Sequence, residues 1–192
     1  MTIPRLVLAS SSPRRVQLLR EAGHVFEVVV PEVEEAHDPT LTCEALTMEN
    51  ARRKAAAGAL LRPEALVIGA DTLVYIDQHP LGKPKDEAEA RDMLRRLSGR
   101  RHQVCTGVAL ASEAGARMET FAVITDVTFK PLDEAAISTY LGLVHVLDKA
   151  GGYAAQEHGE LIVQAMEGSL SNVIGLPMEA LAQRLEQAGM SA

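Results

Sequence analysis

The sequence predicts an α/β protein built around a mixed sheet. In the first half, short apolar stretches alternate with segments of helical pattern, which is typical of parallel strands joined by helices. In the second half, two extended stretches at about 103–111 and 119–129 flank a turn at 112–115 and indicate a long antiparallel hairpin. The 192 residues, 47% of them hydrophobic, suffice for a large core, and no repeat or linker divides them. We therefore expect a single domain over residues 1–192, with two lobes interleaved in sequence.

The elements of the first half follow from apolar runs and helix signals. The run at 66–70 ends at Asp71, as expected of a central strand that delivers a polar residue at its carboxyl end, and the chain stays extended over 73–76. The other expected elements are a strand near 6–9, a helix over 13–22 stopped by Gly23, a strand near 26–31 and a helix over about 43–61.

The second half contains turn and capping signals. The segment 77–79 resembles a hairpin turn, and Asp86 with Glu89 three residues later resembles a capping box for a helix that ends at Leu97. Beyond the long hairpin, we expect a helix near 133–141, a glycine-rich loop at 151–152, a strand near 160–166 and a last helix over about 177–188.

The segment after the first strand has the pattern of an anion site. Ser12 is a suitable N-cap and Pro13 suits the first helical position, so a helix should begin here. Its positive N-terminal end, the Ser10 hydroxyl and the guanidinium groups of Arg14 and Arg15 would then converge on phosphate oxygens. A capped helix with solvated arginines is the equally open alternative, because capping residues mark helix starts of every kind.

Two acidic segments are candidates for a metal ligand or a base. Asp71, at the end of its apolar run, could bind a divalent ion or deprotonate water. Glu32, Glu34 and Glu35 follow the second strand and could supply another oxygen ligand to a hard cation such as Mg²⁺. A structural aspartate and a solvated acidic loop are the corresponding alternatives.

Two lysines are candidates for phosphate contact. Lys83 stands between Gly82 and Pro84, on a constrained turn where its ammonium group could be held against phosphate. Lys54 closes a run of basic residues inside a helix, and such runs usually form a solvated face.

Composition and charge exclude several classes of protein. The formal net charge of −7 argues against a nucleic-acid polymer as partner, whereas a small phosphorylated ligand needs only a local basic pocket. Cys43 and Cys105 lie far apart without a metal-binding spacing, so two reduced, buried thiols are expected. The N-terminus lacks a signal-peptide pattern and no apolar run approaches bilayer length, so we expect a cytoplasmic protein without a membrane partner.

The common nucleotide-binding and hydrolase fingerprints are absent from the sequence. It contains no GxxxxGK[ST], GxGxxG, HExxH or GxSxG motif. If a phosphate bond is cleaved, this absence favours metal-assisted attack by water over a covalent serine or cysteine mechanism.

Eight motifs follow one another along nearly the whole chain. They are SSSPRR at 10–15, PEVEE at 31–35, ARRKA at 51–55, IGADT at 68–72, GKP at 82–84, LSGRRHQVCTGV at 97–108, DKAGGY at 148–153 and VIGLP at 173–177. In this combination the chain resembles the Maf family of nucleoside triphosphate pyrophosphatases. The resemblance implies an elongated mixed β-sheet with flanking helices in two lobes around a cleft, a fold related to the inosine triphosphate pyrophosphatases.

The same resemblance implies roles for individual residues. Asp71 matches the family's proton acceptor and Glu35 its acidic residue on the metal side, so both would hold Mg²⁺ or Mn²⁺. The matches to the phosphate-binding positions are Lys54, Lys83, Ser10 and Arg15.

Three positions at which the family divides by substrate indicate which nucleobase the chain prefers. This chain has Arg14, Thr72 and Gln156 there, as in the branch associated with dTTP and UTP. The branch linked to 7-methyl-GTP tends to carry tryptophan, glutamine and glutamate. The chain departs from the family's usual DKAGAYGIQG, because it reads DKAGGYAAQEHG from 148 with two residues inserted before Gly159. We expect this altered loop to contact the nucleobase of the substrate.

We therefore expect a hydrolase, dependent on Mg²⁺ or Mn²⁺, that converts dTTP and UTP to the monophosphate and pyrophosphate. Activity on modified pyrimidine nucleotides is left open. Its expected role is house-cleaning of the nucleotide pool. The alternatives are a pyrophosphatase for 7-methyl-GTP or for a broad range of nucleotides, and a nucleotide-binding regulator of septum formation. Whether the chain forms a homodimer is open as well.

Overall fold

The structure, a computed structural model, describes residues 5–190. The first four residues, part of the N-terminus assessed for a signal peptide, lie outside this range. Over the range there are seven strands: β1 (Leu6–Ala9), β2 (Phe26–Val29), β3 (Leu66–Ile76), β4 (His79–Leu81), β5 (Arg101–Ser112), β6 (Arg117–Phe129) and β7 (Val163–Glu167). The same range holds six α-helices: α1 (Pro13–Glu21), α2 (Cys43–Leu61), α3 (Glu87–Leu97), α4 (Glu134–Leu143), α5 (Leu170–Ile174) and α6 (Met178–Gln187).

The strands form one mixed sheet. Its order is β2-β1-β3-β5-β6-β7, with β4 paired to β3. β1 is parallel to both β2 and β3, whereas β4 is antiparallel to β3, and β7 is antiparallel to β6. The α/β class with a mixed sheet, predicted from the sequence, is confirmed.

Two compact units alternate along the chain. The first contains 5–71, Thr106–Val123 and 175–190, and the second contains Thr72–Cys105 and Ile124–Ile174. Strands β3, β5 and β6 therefore each contribute residues to both units.

Each unit has its own buried apolar side chains. In the first unit, one cluster contains Leu8 and Ile68 and a second contains Val67. In the second unit, a single large cluster contains Leu94 and Phe129. Burial of this apolar surface stabilises the strands and helices that carry the candidate residues.

Helix α2 lies directly against strands of the first unit, because two glycines leave room for it. A Cβ at Gly69 in β3 would lie 2.2 Å from the carbonyl oxygen of Ala51, and one at Gly107 in β5 would lie 2.3 Å from the carbonyl carbon of Thr47. Any larger side chain at either position would force the helix away from the sheet. This close packing brings the face of α2 that carries Lys54 to β3.

Asp71 does not end the central strand as predicted. β3 continues to Ile76, and Asp71 is the sixth of its 11 residues. The parallel pairing of β3 with β1, however, ends where Ala9 pairs with Gly69. Asp71 therefore lies two residues beyond the end of the parallel pairing with β1, although it is still inside β3.

Two predicted strands differ in their bounds, and one helix was not predicted. β2 ends at Val29, two residues before the predicted end. The strand predicted from 160 begins at Val163, because Gly159–Leu161 forms a 3₁₀ turn. The short helix α5 was not predicted, since five residues carry too little periodicity to indicate a helix.

Several local predictions are confirmed. The Asp86 carboxylate caps α3 by accepting the backbone N–H of Glu89 at 2.8 Å, although the Glu89 carboxylate accepts from Lys85 instead of Asp86. Cys43 and Cys105 are buried. Among the described helices, none combines the length and hydropathy that a membrane crossing would require.

Candidate functional site

The loop between β1 and α1 forms the first part of the candidate site. Ser12 caps α1, with its hydroxyl 3.5 Å from the backbone N–H of Arg15, and Pro13 occupies the first turn as predicted. The Ser10 hydroxyl accepts the backbone N–H of Ser12 at 3.2 Å. These bonds fix the loop around a helix N-terminus, whose partial positive charge favours anions.

Arg15 is buried and its guanidinium is held in place. Nε donates to the carbonyl oxygen of Gly175 at 2.8 Å, and Nη1 donates to the Ser10 hydroxyl at 3.2 Å. Burial lowers the pKa of the Arg15 guanidinium from its ordinary value, while the negative charges of Asp71 and Glu35 act in the opposite direction. Because a guanidinium stays protonated in proteins, Arg15 is a fixed positive charge near both carboxylates.

Lys54 joins the two acidic residues that were predicted to hold a metal. Its Nζ lies 2.8 Å from Oδ1 of Asp71 and 2.7 Å from Oε1 of Glu35. The side chains of Lys54 and Asp71 are 17% and 10% exposed, whereas that of Glu35 is 44% exposed. Two carboxylates, one buried and one half-exposed, thus converge on a single cation.

Asn50 is a member of this group that the sequence interpretation missed. It is 2% exposed, and its Nδ2 donates to Oδ2 of Asp71 at 3.2 Å. Its Oδ1 accepts the Ala36 N–H at 2.7 Å, and Nδ2 also donates to the Ala36 carbonyl oxygen at 3.3 Å. The available signal was an asparagine inside a long helix, where its propensity is poor, one turn before Lys54 on the same face.

Thr72, Lys83 and Gln156 belong to the second unit. Lys83 is exposed on the turn after β4, and the Gly151 N–H donates to the carbonyl oxygen of Gly82 in this turn at 3.0 Å. Gly151 has a φ of +72°, and a Cβ there would lie 2.9 Å from a valine side chain, so this position requires glycine. The constrained turn and the glycine-rich loop are therefore neighbours within the second unit.

Gln156 lies on an exposed loop beside the residues that depart from the family pattern. Its Nε2 donates to Oε1 of Glu157 at 3.3 Å. That same Oε1 is 3.6 Å from Nζ of the buried Lys149, which pairs with Asp148 at 2.9 Å. His158 follows in the left-handed region with a φ of +54°. The inserted segment thus takes part in orienting Gln156.

Glu35 and Asp71 form a donor set that is compatible with a divalent cation. Between residues 5 and 190, no group of three or more His, Cys, Asp or Glu side chains could hold a metal ion. Glu35 and Asp71 nevertheless flank one cationic group at hydrogen-bond distance. Mg²⁺ is commonly bound by one or two carboxylates together with substrate phosphates, so two protein carboxylates suffice.

The first unit brings together most of the residues singled out in the sequence. Hydrogen bonds and charge interactions connect Ser10, Arg15, Glu35, Lys54 and Asp71. Arg14, beside Arg15 on α1, is half-buried. Positive and negative groups alternate in this cluster, which suits both phosphate binding and the activation of water.

Comparison with known proteins agrees with these features. The profile of the Maf family, described as "Maf-like protein", matches residues 5–188. A dTTP/UTP pyrophosphatase of Akkermansia muciniphila is 48% identical over 190 residues, which cover 99% of this chain and 100% of that protein. Proteins of the same name from Bacillus cytotoxicus and Desulforamulus reducens are 45% and 42% identical, over 95% and 96% of this chain and 95% and 97% of their own length. The resemblance predicted from the eight motifs is confirmed, and this chain belongs to the Maf family.

Proposed function

We propose that this chain is a nucleoside triphosphate pyrophosphatase that hydrolyses dTTP and UTP to the monophosphate and pyrophosphate. The observation that carries the proposal is its identity of 42–48%, over nearly the full length, to proteins named dTTP/UTP pyrophosphatase. The cluster of the first unit supports it, because cationic groups of the kind that bind phosphate lie beside carboxylates, which can accept a proton. Because the profile match spans 5–188, both units together are proposed to form a single Maf-like domain.

The reaction breaks the bond between the α-phosphorus and the oxygen that bridges to the β-phosphate. Water attacks the α-phosphorus, Asp71 accepts the proton from this water, and pyrophosphate leaves with the bridging oxygen. Asp71 suits this role because bonds to Lys54 and Asn50 hold both of its carboxylate oxygens. A base held in one orientation needs little rearrangement at the moment of reaction.

Arg15, Lys54 and Lys83 are proposed to neutralise the negative charge that develops on the departing pyrophosphate. Arg15 is preorganised for this by its bonds to Ser10 and to the Gly175 carbonyl oxygen. Lys83 stands on a turn whose backbone is fixed by the Gly151 hydrogen bond.

Glu35 and Asp71 are the residues that would hold Mg²⁺ or Mn²⁺. A divalent cation bound there supplies neutralisation of phosphate charge and a lowered pKa for the attacking water. The positive charge of Lys54 compensates part of the negative charge of the same two carboxylates, which it contacts at 2.7 and 2.8 Å.

Arg14, Thr72 and Gln156 are proposed to set the preference for the base. The Gln156 amide can donate to O4 and accept from N3–H, the edge that thymine and uracil share, whereas cytosine presents the reverse pattern. A cytoplasmic house-cleaning role, the removal of surplus or altered nucleotides, is part of this proposal.

The test compares kcat/KM for dTTP, UTP, dCTP, dATP and 7-methyl-GTP with Mg²⁺ and with Mn²⁺. Pyrophosphate and monophosphate are measured together, so that stepwise release of single phosphates is recognised. We expect dTTP and UTP to be the best substrates with either metal ion. If dCTP or 7-methyl-GTP is best, the pyrimidine assignment is wrong, and if no nucleotide is cleaved, the pyrophosphatase assignment is wrong.

A further inference from the structure

Asn50 connects Asp71 with the loop that carries Glu35. Its amide donates to Oδ2 of Asp71 on one side, and on the other it bonds both the backbone N–H and the backbone carbonyl oxygen of Ala36, next to Glu35. We propose that Asn50 is a positioning residue of the reaction, which holds Asp71 Oδ2 so that Oδ1 is the oxygen presented to Lys54 and to water. This inference rests on the proposed function and names a residue that acts through Asp71.

The orientation of the Asn50 amide follows from its neighbours. Nδ2 faces two acceptors, Oδ2 of Asp71 and the carbonyl oxygen of Ala36, and Oδ1 faces one donor, the Ala36 N–H. A flipped amide would place Oδ1 against both acceptors and leave the N–H of Ala36 facing a donor. Both amide hydrogens are therefore in use, and the side chain has one satisfactory orientation.

The stability of α2 does not explain why an asparagine occupies position 50. Asparagine in a helix interior is less favourable than alanine by up to about 0.7 kcal/mol. A polar side chain that is 2% exposed must also keep its hydrogen bonds to avoid a desolvation cost. The bonds that Asn50 makes all leave its own helix, and their partners are the candidate base and the loop of the candidate metal ligand.

The Ala36 contact gives the acidic loop its position. Residues 30–38 have neither helix nor strand, so their backbone depends on bonds to other segments. Asn50 bonds this backbone at Ala36, and the side chain of Arg53 donates to the Glu34 carbonyl oxygen at 3.1 Å. Without the Asn50 amide, the Asp71 carboxylate is held through Oδ1 alone, by Lys54, and the Glu35 loop loses one of these two anchors.

The experiment is a double-mutant cycle of Asn50→Ala with Asp71→Asn. Turnover of dTTP is divided by the number of binding-competent sites, which calorimetric titration with dTMP supplies, so that a loss of folded protein is not counted as a loss of kcat. Thr47→Val is the matched control, since Thr47 is a buried polar residue of the same helix whose hydroxyl donates to the Cys43 carbonyl oxygen.

We expect Asn50→Ala to lower kcat by about 10- to 100-fold, the range for partners that orient the ligands of a metal site. In the Asp71→Asn background the same substitution should change kcat within about twofold, because the residue through which Asn50 acts is already lost. Thr47→Val should stay within about twofold in both backgrounds. A merely structural role would instead lower kcat by the same factor in both.

Equal losses in the two backgrounds, or an unchanged kcat in Asn50→Ala, would overturn the inference. If Asn50→Ala does not fold, Asn50→Leu takes its place, because it keeps the volume of the side chain, adds no charge beside Asp71 and loses the donor to Asp71. The same difference between backgrounds is then expected. An unsubstituted chain that cleaves no nucleotide would overturn the proposed function itself, whereas an active chain without coupling overturns only the role of Asn50.

Discussion

The ammonium group of Lys54 lies 2.8 Å from Oδ1 of Asp71, and both side chains are largely withdrawn from water. Lys54→Ala leaves Asp71 and Glu35 facing each other without this cation. We expect the free energy of unfolding to fall by about 1.5–3 kcal/mol, the range for hydrogen bonds to charged groups. Added Mg²⁺ or Mn²⁺ should raise the Tm of Lys54→Ala more than that of the parent, because a second cation can then occupy the position.

Thermal unfolding with and without the metal measures this difference. Arg52→Ala is the control, since Arg52 pairs with Glu49 on the exposed face of the same helix. An equal metal-induced rise in all three proteins would separate Lys54 from the proposed metal position.

Asp71→Asn tests the proposed base. The amide keeps the shape of the side chain but cannot accept the proton of water, so kcat should fall by about 10²- to 10⁴-fold while nucleotide still binds. Asp77→Asn is the control, because Asp77 pairs with Arg100 on the turn after β3 and its side chain is 66% exposed. Turnover is measured by pyrophosphate release, and nucleotide binding is measured by calorimetry on the same protein. Normal turnover by Asp71→Asn would exclude Asp71 as the base of the reaction.

Lys83→Ala tests the proposed phosphate contact of the second unit. Binding of a triphosphate should weaken by roughly 1.5–3 kcal/mol, whereas a monophosphate, which lacks the β and γ groups, should bind almost unchanged. Lys85→Ala, at another exposed lysine two residues away, should change neither affinity. Calorimetry with a non-hydrolysable triphosphate and with dTMP checks this, and equal losses for both would exclude the role of Lys83.

Gln156→Glu tests the proposed base recognition. A carboxylate has no donor for O4 of thymine or uracil, so kcat/KM for dTTP and UTP should fall. The expected loss of transition-state stabilisation is about 1–3 kcal/mol. The loss for dCTP should be smaller, because its N4 amino group is itself a donor. Gln164→Glu, an exposed glutamine of β7, is the control for the added charge. Parallel losses for all nucleotides would show that Gln156 does not read the base.

His102 predicts a loss of stability in mild acid. It is 2% exposed, its Nε2 lies 2.9 Å from the Tyr153 hydroxyl, and burial lowers the pKa of His102 from 6.5 to about 4. Above pH 6.5 His102 is neutral in the folded and the unfolded chain, but between 6.5 and about 4 only the unfolded chain takes up the proton. The free energy of unfolding should therefore fall as the pH falls through this window, by on the order of 3 kcal/mol.

Urea unfolding from pH 7 to pH 4 measures this slope. In His102→Gln, which does not titrate and retains a polar partner for Tyr153, the part of the slope due to His102 should vanish. An unchanged slope in this variant would assign the acid sensitivity to other groups.

The sequence was most informative where one local signal sufficed. The bounds of α2 agree with the prediction because Thr42 caps its start and nineteen residues give a long helical pattern. Ser12 and Pro13 likewise located the start of α1. The position of Asp71 within β3 needed knowledge of where β1 stops pairing, which is a property of two strands. Asn50 was missed for the same reason, since its partners Ala36 and Asp71 lie 14 and 21 residues away.

The bond from Arg15 to the Gly175 carbonyl oxygen joins positions 160 residues apart in the chain. On the ribosome, Arg15 is synthesised 160 residues before its acceptor. The first unit therefore cannot complete its fold until residue 175 has emerged, although 5–71 are available long before. Contacts of such long range form slowly, because the entropy of closing the intervening loop must be overcome first. A ribosome-bound chain truncated before residue 175 is consequently expected to remain sensitive to protease in its N-terminal segment.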